Sequence, residues 1–401
     1  MPDMRFAPPL AMRVGDRGGG LNQTSVRTYN ERLVMSLLRQ RTSLSRMELG
    51  QHSGLSAQTV SVIVRALEKD GLVLPGEVQR GRVGPPLTPI LLNPDGAFSI
   101  GVSVAATAAD VVLVDFSGSI RRRTQVDNRA AASSGEIQSA IAETIVETIA
   151  AAPSPQRERI VGIGIGLPED IDSLHGHDPA ARETWSAMAV EAAVARVTDL
   201  PIFIQNDVTA AAGAEVIFGA ARTLADFVYI SIGRETEHRL VLHHRVYAGS
   251  ADSRSRSRNR FSGSLASLID LEERAAALGC DPSIVRRSVD DWHGLAKVLP
   301  EWIAVCSAGI CEAIETISAF VEASTVIIGG RVPRPALESL RESVAEKLTL
   351  GRHPESPPTL LASEVGPFAK AVGAASLPLH SRFMLEEVGL APAQSPPFAG
   401  A

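Results

Sequence analysis

Aromatic residues are scarce: Phe, Trp and Tyr make up 4% of the 401 residues. Cysteine is scarcer still, with only Cys280, Cys306 and Cys311. These three form no even framework and no C-x-x-C pair, which argues against a disulfide scaffold or a structural zinc site and for a reducing cytoplasm. No run of about 18 apolar residues occurs, so no membrane span is expected. The N-terminal stretch MPDMRFAPPLAMRVGDRGGG lacks the apolar core of a secretory signal.

What is present is an ordinary globular composition, 45% hydrophobic and 21% charged, long enough for two or three domains. The net charge of −6 conceals an asymmetry. Between Thr24 and Ile90, nine basic residues stand against five acidic ones, giving +4; the chain beyond Ile90 carries −11. A basic module on an acidic body suits a nucleic-acid-binding domain attached to a regulatory one.

The chain is organised around Ser45 to Arg65, SRMELGQHSGLSAQTVSVIVR, which predicts two short helices joined by a tight turn. Val60, Ile63, Val64 and Leu67 recur with the period of one buried helical stripe, placing Gln58, Ser61, Val62 and Arg65 opposite. Ser56 stands where an N-cap belongs and Gly54 in the turn before it. Ser56, Gln58, Thr59, Ser61, Val62 and Arg65 are therefore the candidate DNA-reading residues. Gln can pair with adenine, Arg with guanine, and an apolar side chain can meet a thymine methyl. The competing reading is an ordinary surface helix pair.

The flanks favour DNA. A helix over roughly 26–41 precedes, with Leu33, Val34, Leu37 and Leu38 as its inner stripe. After Asp70-Gly71, LVLPGEVQRGRVGPPLTPILLNP predicts two short strands around a Gly/Pro-rich tip. Three helices and a hairpin make a winged helix, with Arg80 and Arg82 at the wing tip for phosphate or minor-groove contact, or in a solvated turn. Past Pro94, strands at FSIGVSVAA, DVVLVDFSG, IRRRTQV, IVGIGIGLP, PIFIQND, FVYISIG, RLVLHHRVYAG and STVIIGG alternate with helices, the pattern of α/β layers with mixed sheets.

These segments, in this order, resemble the ROK family of repressors and sugar kinases, in its transcription-factor branch, from about residue 25 to 375. The resemblance implies a winged helix followed by two lobes of the actin-like, sugar-kinase (RNase H-like) fold with a cleft between them. It implies a DNA-binding domain at 24–92 and lobes at 97–200 and 201–375; the Pro-, Gly- and Arg-rich stretch 1–23 itself reads as a disordered arm. At 376–401 the resemblance implies a C-terminal helix returning to the first lobe, then a disordered tail.

The departures bear on activity. Family kinases open with an Asp-X-Gly-Gly-Thr phosphate loop; here Ser103, Ala105, Ala106 and Thr107 stand in its place. The second phosphate loop becomes Gly233-Arg234-Glu235-Thr236-Glu237-His238-Arg239, bulky and acidic where anions would sit. Only Gly329-Gly330 keeps the form of a nucleotide-side turn. The sugar-gripping Glu–His pair and the zinc-binding cysteines are missing from SADSRSRSRNRFSGSLASLIDLEE. Asn206 and Asp207 remain. In family kinases this aspartate is the general base, and in regulators it hydrogen-bonds the effector; alternatively Asp207 merely caps the following helix.

Other features read more plainly. Gly162, Gly164 and Gly166 do not fit the dinucleotide fingerprint and predict a buried strand with close packing. Arg254, Arg256, Arg258 and Arg260 predict a solvated loop. His175, His177, His238, His243 and His244 show no metal-ligand spacing. Cys306 and Cys311 predict buried thiols. The expectation is a cytoplasmic repressor that binds double-stranded operator DNA. It would form a homodimer or homotetramer and respond to a sugar or sugar-derivative effector, with no cofactor, metal or catalytic residue. The alternatives are an ATP-dependent sugar kinase using Asp207 as base and a protein-interaction module.

Overall fold

Strand and helix periods in this sequence sort into two compact units in a computed structural model of the chain, Met1–Ala210 with Lys370–Ala401, and Ala211–Ala369. The structure describes residues 23–78, 87–105, 108–127, 134–168, 187–247, 267–287, 289–321, 324–350 and 357–385.

The first unit begins with α1 (Gln23–Arg41), β1 (Ser43–Leu44), α2 (Arg46–Ser53), α3 (Ala57–Lys69), β2 (Val73–Pro75) and β3 (Ile90–Leu92). The three strands form one sheet in the order β1-β3-β2, all antiparallel, with Val73 opposite Leu92. This is the winged helix expected from the sequence; the wing tip carrying Arg80 and Arg82 lies outside the described residues. Val60, Ile63, Val64 and Leu67 are all buried, as their spacing predicts. On α1 the buried stripe is Val34, Met35 and Leu38, while Leu33 and Leu37 are only half-buried. The face is rotated from the expected one because Glu31 also turns inward, paired with Arg27 at 2.9 Å.

The same unit continues through β4 (Phe98–Val104), β5 (Ala108–Asp115), β6 (Ile120–Asp127), α4 (Ser134–Ala151), α5 (Ser154–Arg157), β7 (Ile160–Leu167), α6 (Ala187–Ala195) and β8 (Ile202–Asn206). Their sheet runs β6-β5-β4-β7-β8, antiparallel on the β6 side and parallel from β4 to β8. Because β8 completes this sheet beside β7, the division between units falls inside α7 (Asp207–Ile217).

The second unit holds a sheet in the order β11-β10-β9-β12-β13, from β9 (Phe227–Ile232), β10 (Thr236–Leu242), β11 (Arg245–Val246), β12 (Thr325–Gly330) and β13 (Thr359–Ala362). Helices α8 (Leu268–Ala277), α9 (Ile284–Arg287), α10 (Leu299–Ser318) and α11 (Arg334–Leu350) supply its core with the sheet, centred on Trp302 edge-on to Trp292. The last helix, α12 (Ala369–Phe383), lies in the first unit from Lys370 onward. No helix among the described residues is long and apolar enough to cross a membrane.

Helix α12 explains the three alternating glycines of β7. A Cβ at Gly164 would stand 1.8 Å from the Ala374 carbonyl, and one at Gly162 would stand 2.8 Å from the Pro378 ring. On β4, a Cβ at Gly101 would meet the Ala371 carbonyl at 2.0 Å. Helix backbone thus rests directly on sheet backbone, the close packing expected of that run. Pro378 has no N–H to offer Ala374, and the neighbouring Ala375 carbonyl accepts from Ser99 Oγ at 2.6 Å.

Candidate functional site

Each helix of the reading pair is started by its own sequence. Ser45 caps α2 in a capping box: Glu48 N donates to Ser45 Oγ at 3.2 Å, and Ser45 N donates to Glu48 Oε2 at 2.8 Å. Those bonds, the backbone one first, hold the Glu48 carboxyl below its usual range. Gly54 ends α2 at φ 70°, a left-handed conformation that glycine adopts without strain. Ser56 caps α3, accepting from Thr59 N at 3.2 Å, and its hydroxyl meets that of Thr59 at 2.8 Å. An ion pair of 3.1 Å between Arg46 and Glu68 braces α2 against α3.

The outward face of α3 is then Gln58, Val62 and Arg65, all exposed, with Val62 at 55%. Ser61 and Thr59 are half-buried, and Ser61 Oγ donates to the Ala57 carbonyl at 2.8 Å. A lone exposed Val is ordinary on a surface helix; set between an amide and a guanidinium it also gives the mix of contacts that can meet base edges. Met47 of α2 is exposed at 61%, a contact candidate that the sequence pattern did not single out.

The second candidate site lies at the end of β8. Asn206 Oδ1 accepts from Thr209 N at 2.8 Å, so the helix-capping role falls to Asn206 and not to Asp207. Asp207, 2% exposed, is the first residue of α7; its Oδ1 accepts from Val208 N at 2.7 Å. Its Oδ2 accepts from Lys370 Nζ at 2.6 Å, in an ion pair whose lysine side chain is 31% exposed. Lys370, 163 residues away, carries no motif, and no local signal could have found it. Lys370 and the Val208 amide thus occupy one acceptor position on each oxygen of the carboxylate that a hydroxyl would approach.

Of the phosphate-loop positions, Ser103 lies in β4 and Thr236, Glu237, His238 and Arg239 lie in β10. Between β9 and β10 only Gly233, Arg234 and Glu235 intervene, and Gly233 N donates to the Glu235 carbonyl at 3.2 Å, which turns that amide inward. Between β4 and β5, Ala105 N donates to the Ala108 carbonyl at 3.0 Å; Ala106 and Thr107 lie outside the described residues. Gly329 and Gly330 are required by packing: their Cβ atoms would meet the Tyr229 hydroxyl at 2.7 Å and the Ile232 carbonyl at 2.0 Å.

His238 lies in β10, and His243 and His244 form the β10–β11 turn with φ of 51° and 61°. His175, His177 and the Arg254–Arg260 run lie outside the described residues. No cluster of three or more His, Cys, Asp or Glu side chains among the described residues is placed to hold a metal. Cys306 is buried and Cys311 half-buried; burial raises both thiols, Cys311 to about 11, so neither is a ready thiolate.

Comparison with known proteins matches both parts. Residues 27–73 match the model of a winged helix-turn-helix DNA-binding domain, and residues 99–252 match that of the ROK family. A protein of Sinorhizobium fredii, y4fQ, is 28% identical over 382 residues, 89% of this chain and 92% of that one. The xylose repressor of Caldicellulosiruptor bescii is 23% identical over 363 residues, 81% of this chain and 90% of that one. The crystal structure of a ROK family transcriptional regulator, a homologue of the E. coli MLC protein, covers 90% of this chain and 99% of its own. It does so at a TM-score of 0.59 and 19% identity, a likeness of fold. In this chain a winged helix-turn-helix segment thus stands ahead of a ROK family domain.

Proposed function

We propose that this protein is a DNA-binding transcriptional regulator, a repressor of carbohydrate-related genes, whose ROK body senses an effector and joins copies of the chain. The observation that carries the reading is the exposed face of α3, Gln58, Val62 and Arg65, on a helix–turn–helix capped at both starts. Major-groove entry by α3 would place these side chains against base edges, and Arg80 and Arg82 of the wing against phosphate. The xylose repressor among its relatives supports sugar genes as targets. A homodimer or homotetramer in the cytoplasm would present two α3 helices to a palindrome.

The body is proposed to lack kinase activity. Both phosphate-loop positions have lost their glycine-rich sequence, and Asp207 is tied to Lys370. Asn206 and Asp207 are retained as effector contacts: a polyol offering hydroxyls to this carboxylate would compete with Lys370, and the two outcomes would be two states of the pair.

Selection of genomic fragments by the purified full chain at stated salt, beside a chain lacking residues 1–90, tests the reading. Enrichment of one palindromic site by the full chain alone is expected. Equal recovery of random DNA by both would overturn it.

A further inference from the structure

Helix α12 joins two places far apart in the chain. Its first turn carries Lys370, bound to Asp207. At its other end Phe383 packs on Phe116 with ring centroids 4.9 Å apart, and the Arg39 guanidinium of α1 lies 5.0 Å over the same Phe116 ring. Arg39 also donates to the Phe116 carbonyl. Just beyond the helix, Leu385 N donates to Ser36 Oγ of α1 at 3.1 Å, and Met384 Sδ lies 3.9 Å from the same hydroxyl. Ser36 and Met384 are buried. The end of α12 is therefore part of the seat on which α1, the backbone of the winged helix, rests.

Between these ends the helix has little freedom to bend independently of the sheet. It is 15 residues long, about 22 Å at 1.5 Å per residue. Its backbone touches Gly101 and Gly164, and Ser99 holds its Ala375 carbonyl. A close-packed contact of backbone on backbone passes displacement along and does not absorb it. The Lys370–Asp207 pair is closed here at 2.6 Å, and a ligand that competes for the carboxylate would open it. Release strands a carboxylate that is buried against Gly166, so the helix start must move or water must enter.

We propose that α12 is a rigid link through which the state of the Lys370–Asp207 pair sets how firmly α1, and with it the winged helix, is held. Its use in regulation rests on the reading of Asp207 as an effector contact. The link itself does not.

Hydrogen–deuterium exchange on the full chain, without DNA, tests it. In Lys370→Met the Leu385 amide and the α1 amides around Ser36 should exchange several-fold faster than in the wild type, and in Lys370→Arg, which keeps the cation, they should not. Faster exchange confined to 206–209 and 369–373, with Leu385 and α1 unchanged, overturns the link. Should Lys370→Met fail to fold, Asp207→Asn removes the same charge pair from the other side and carries the same readout. Because no DNA is present, failure of the wild-type chain to select any site would sink the regulator reading alone.

Discussion

Arg65 is an exposed cation in the middle of α3, with no ion-pair partner among the described residues. If it reads a base, Arg65→Ala loses discrimination at one position, about 1–3 kcal/mol for a bidentate contact, or about 5- to 150-fold in affinity for the selected site. Titrations against selected and random fragments separate this from a phosphate contact, which would weaken both alike. Glu215 is a different kind of residue. It is fully buried in the second unit, accepting from Ser363 Oγ, Ala220 N at 2.9 Å, Val365 N at 3.3 Å and Glu364 N at 3.4 Å. Burial raises its pKa, and the hydrogen bonds offset this only in part. The folded state therefore binds this proton more tightly than the unfolded one. The group's contribution to stability is full below the unfolded value and declines as pH rises through the raised one. Thermal melts of wild type and Glu215→Gln from pH 4 to 7 should show the wild type losing ground as pH rises; a constant difference would remove Glu215 from the pH response. Glu215→Ala should cost about 3 kcal/mol at pH 4, since three amides and a hydroxyl lose their acceptor, and less as pH rises.

At the scale of elements, the two short helices stand on their caps. Ser56→Ala should destabilise the winged helix by about 1 kcal/mol, read as faster exchange across α3. The S-x-x-E spacing of Ser45 and Glu48 is a capping box visible in the sequence alone, and the period of Val60, Ile63, Val64 and Leu67 is equally local. Elements of this kind are legible because the information lies within one or two helical turns. The inner stripe of α1 is less legible. An acidic residue, Glu31, is buried through its pairing with Arg27, and hydrophobicity alone cannot foresee that rotation. The glycines of β7 announced close packing but not their partner. Gly164→Val should force α12 off the sheet and cost more than the about 1–3 kcal/mol of ordinary overpacking, measured as a fall in the melting midpoint of the first unit.

At the scale of the molecule, a basic winged helix and an acidic ROK body were readable from charge, turn chemistry and segment order, because a family pattern is carried by many short stretches at once. No ATP turnover with any hexose is expected; sustained turnover abolished by Asp207→Asn would restore the kinase reading. The candidate site shows where such legibility stops. Asp207 stood out as a carboxylate at a strand end, open to three uses, while its cap-forming neighbour Asn206 and its cation Lys370 emerge only in three dimensions. The helix–turn–helix, its caps and its exposed face follow from residues within a few positions of one another, where backbone geometry leaves few choices. That α12 leaves the second unit, lies on the glycines of β4 and β7, and brings Lys370 to Asp207 and Phe383 to Phe116 depends on contacts between residues far apart in the chain. Such contacts are selected by the packing of the whole first unit, and no local propensity encodes them.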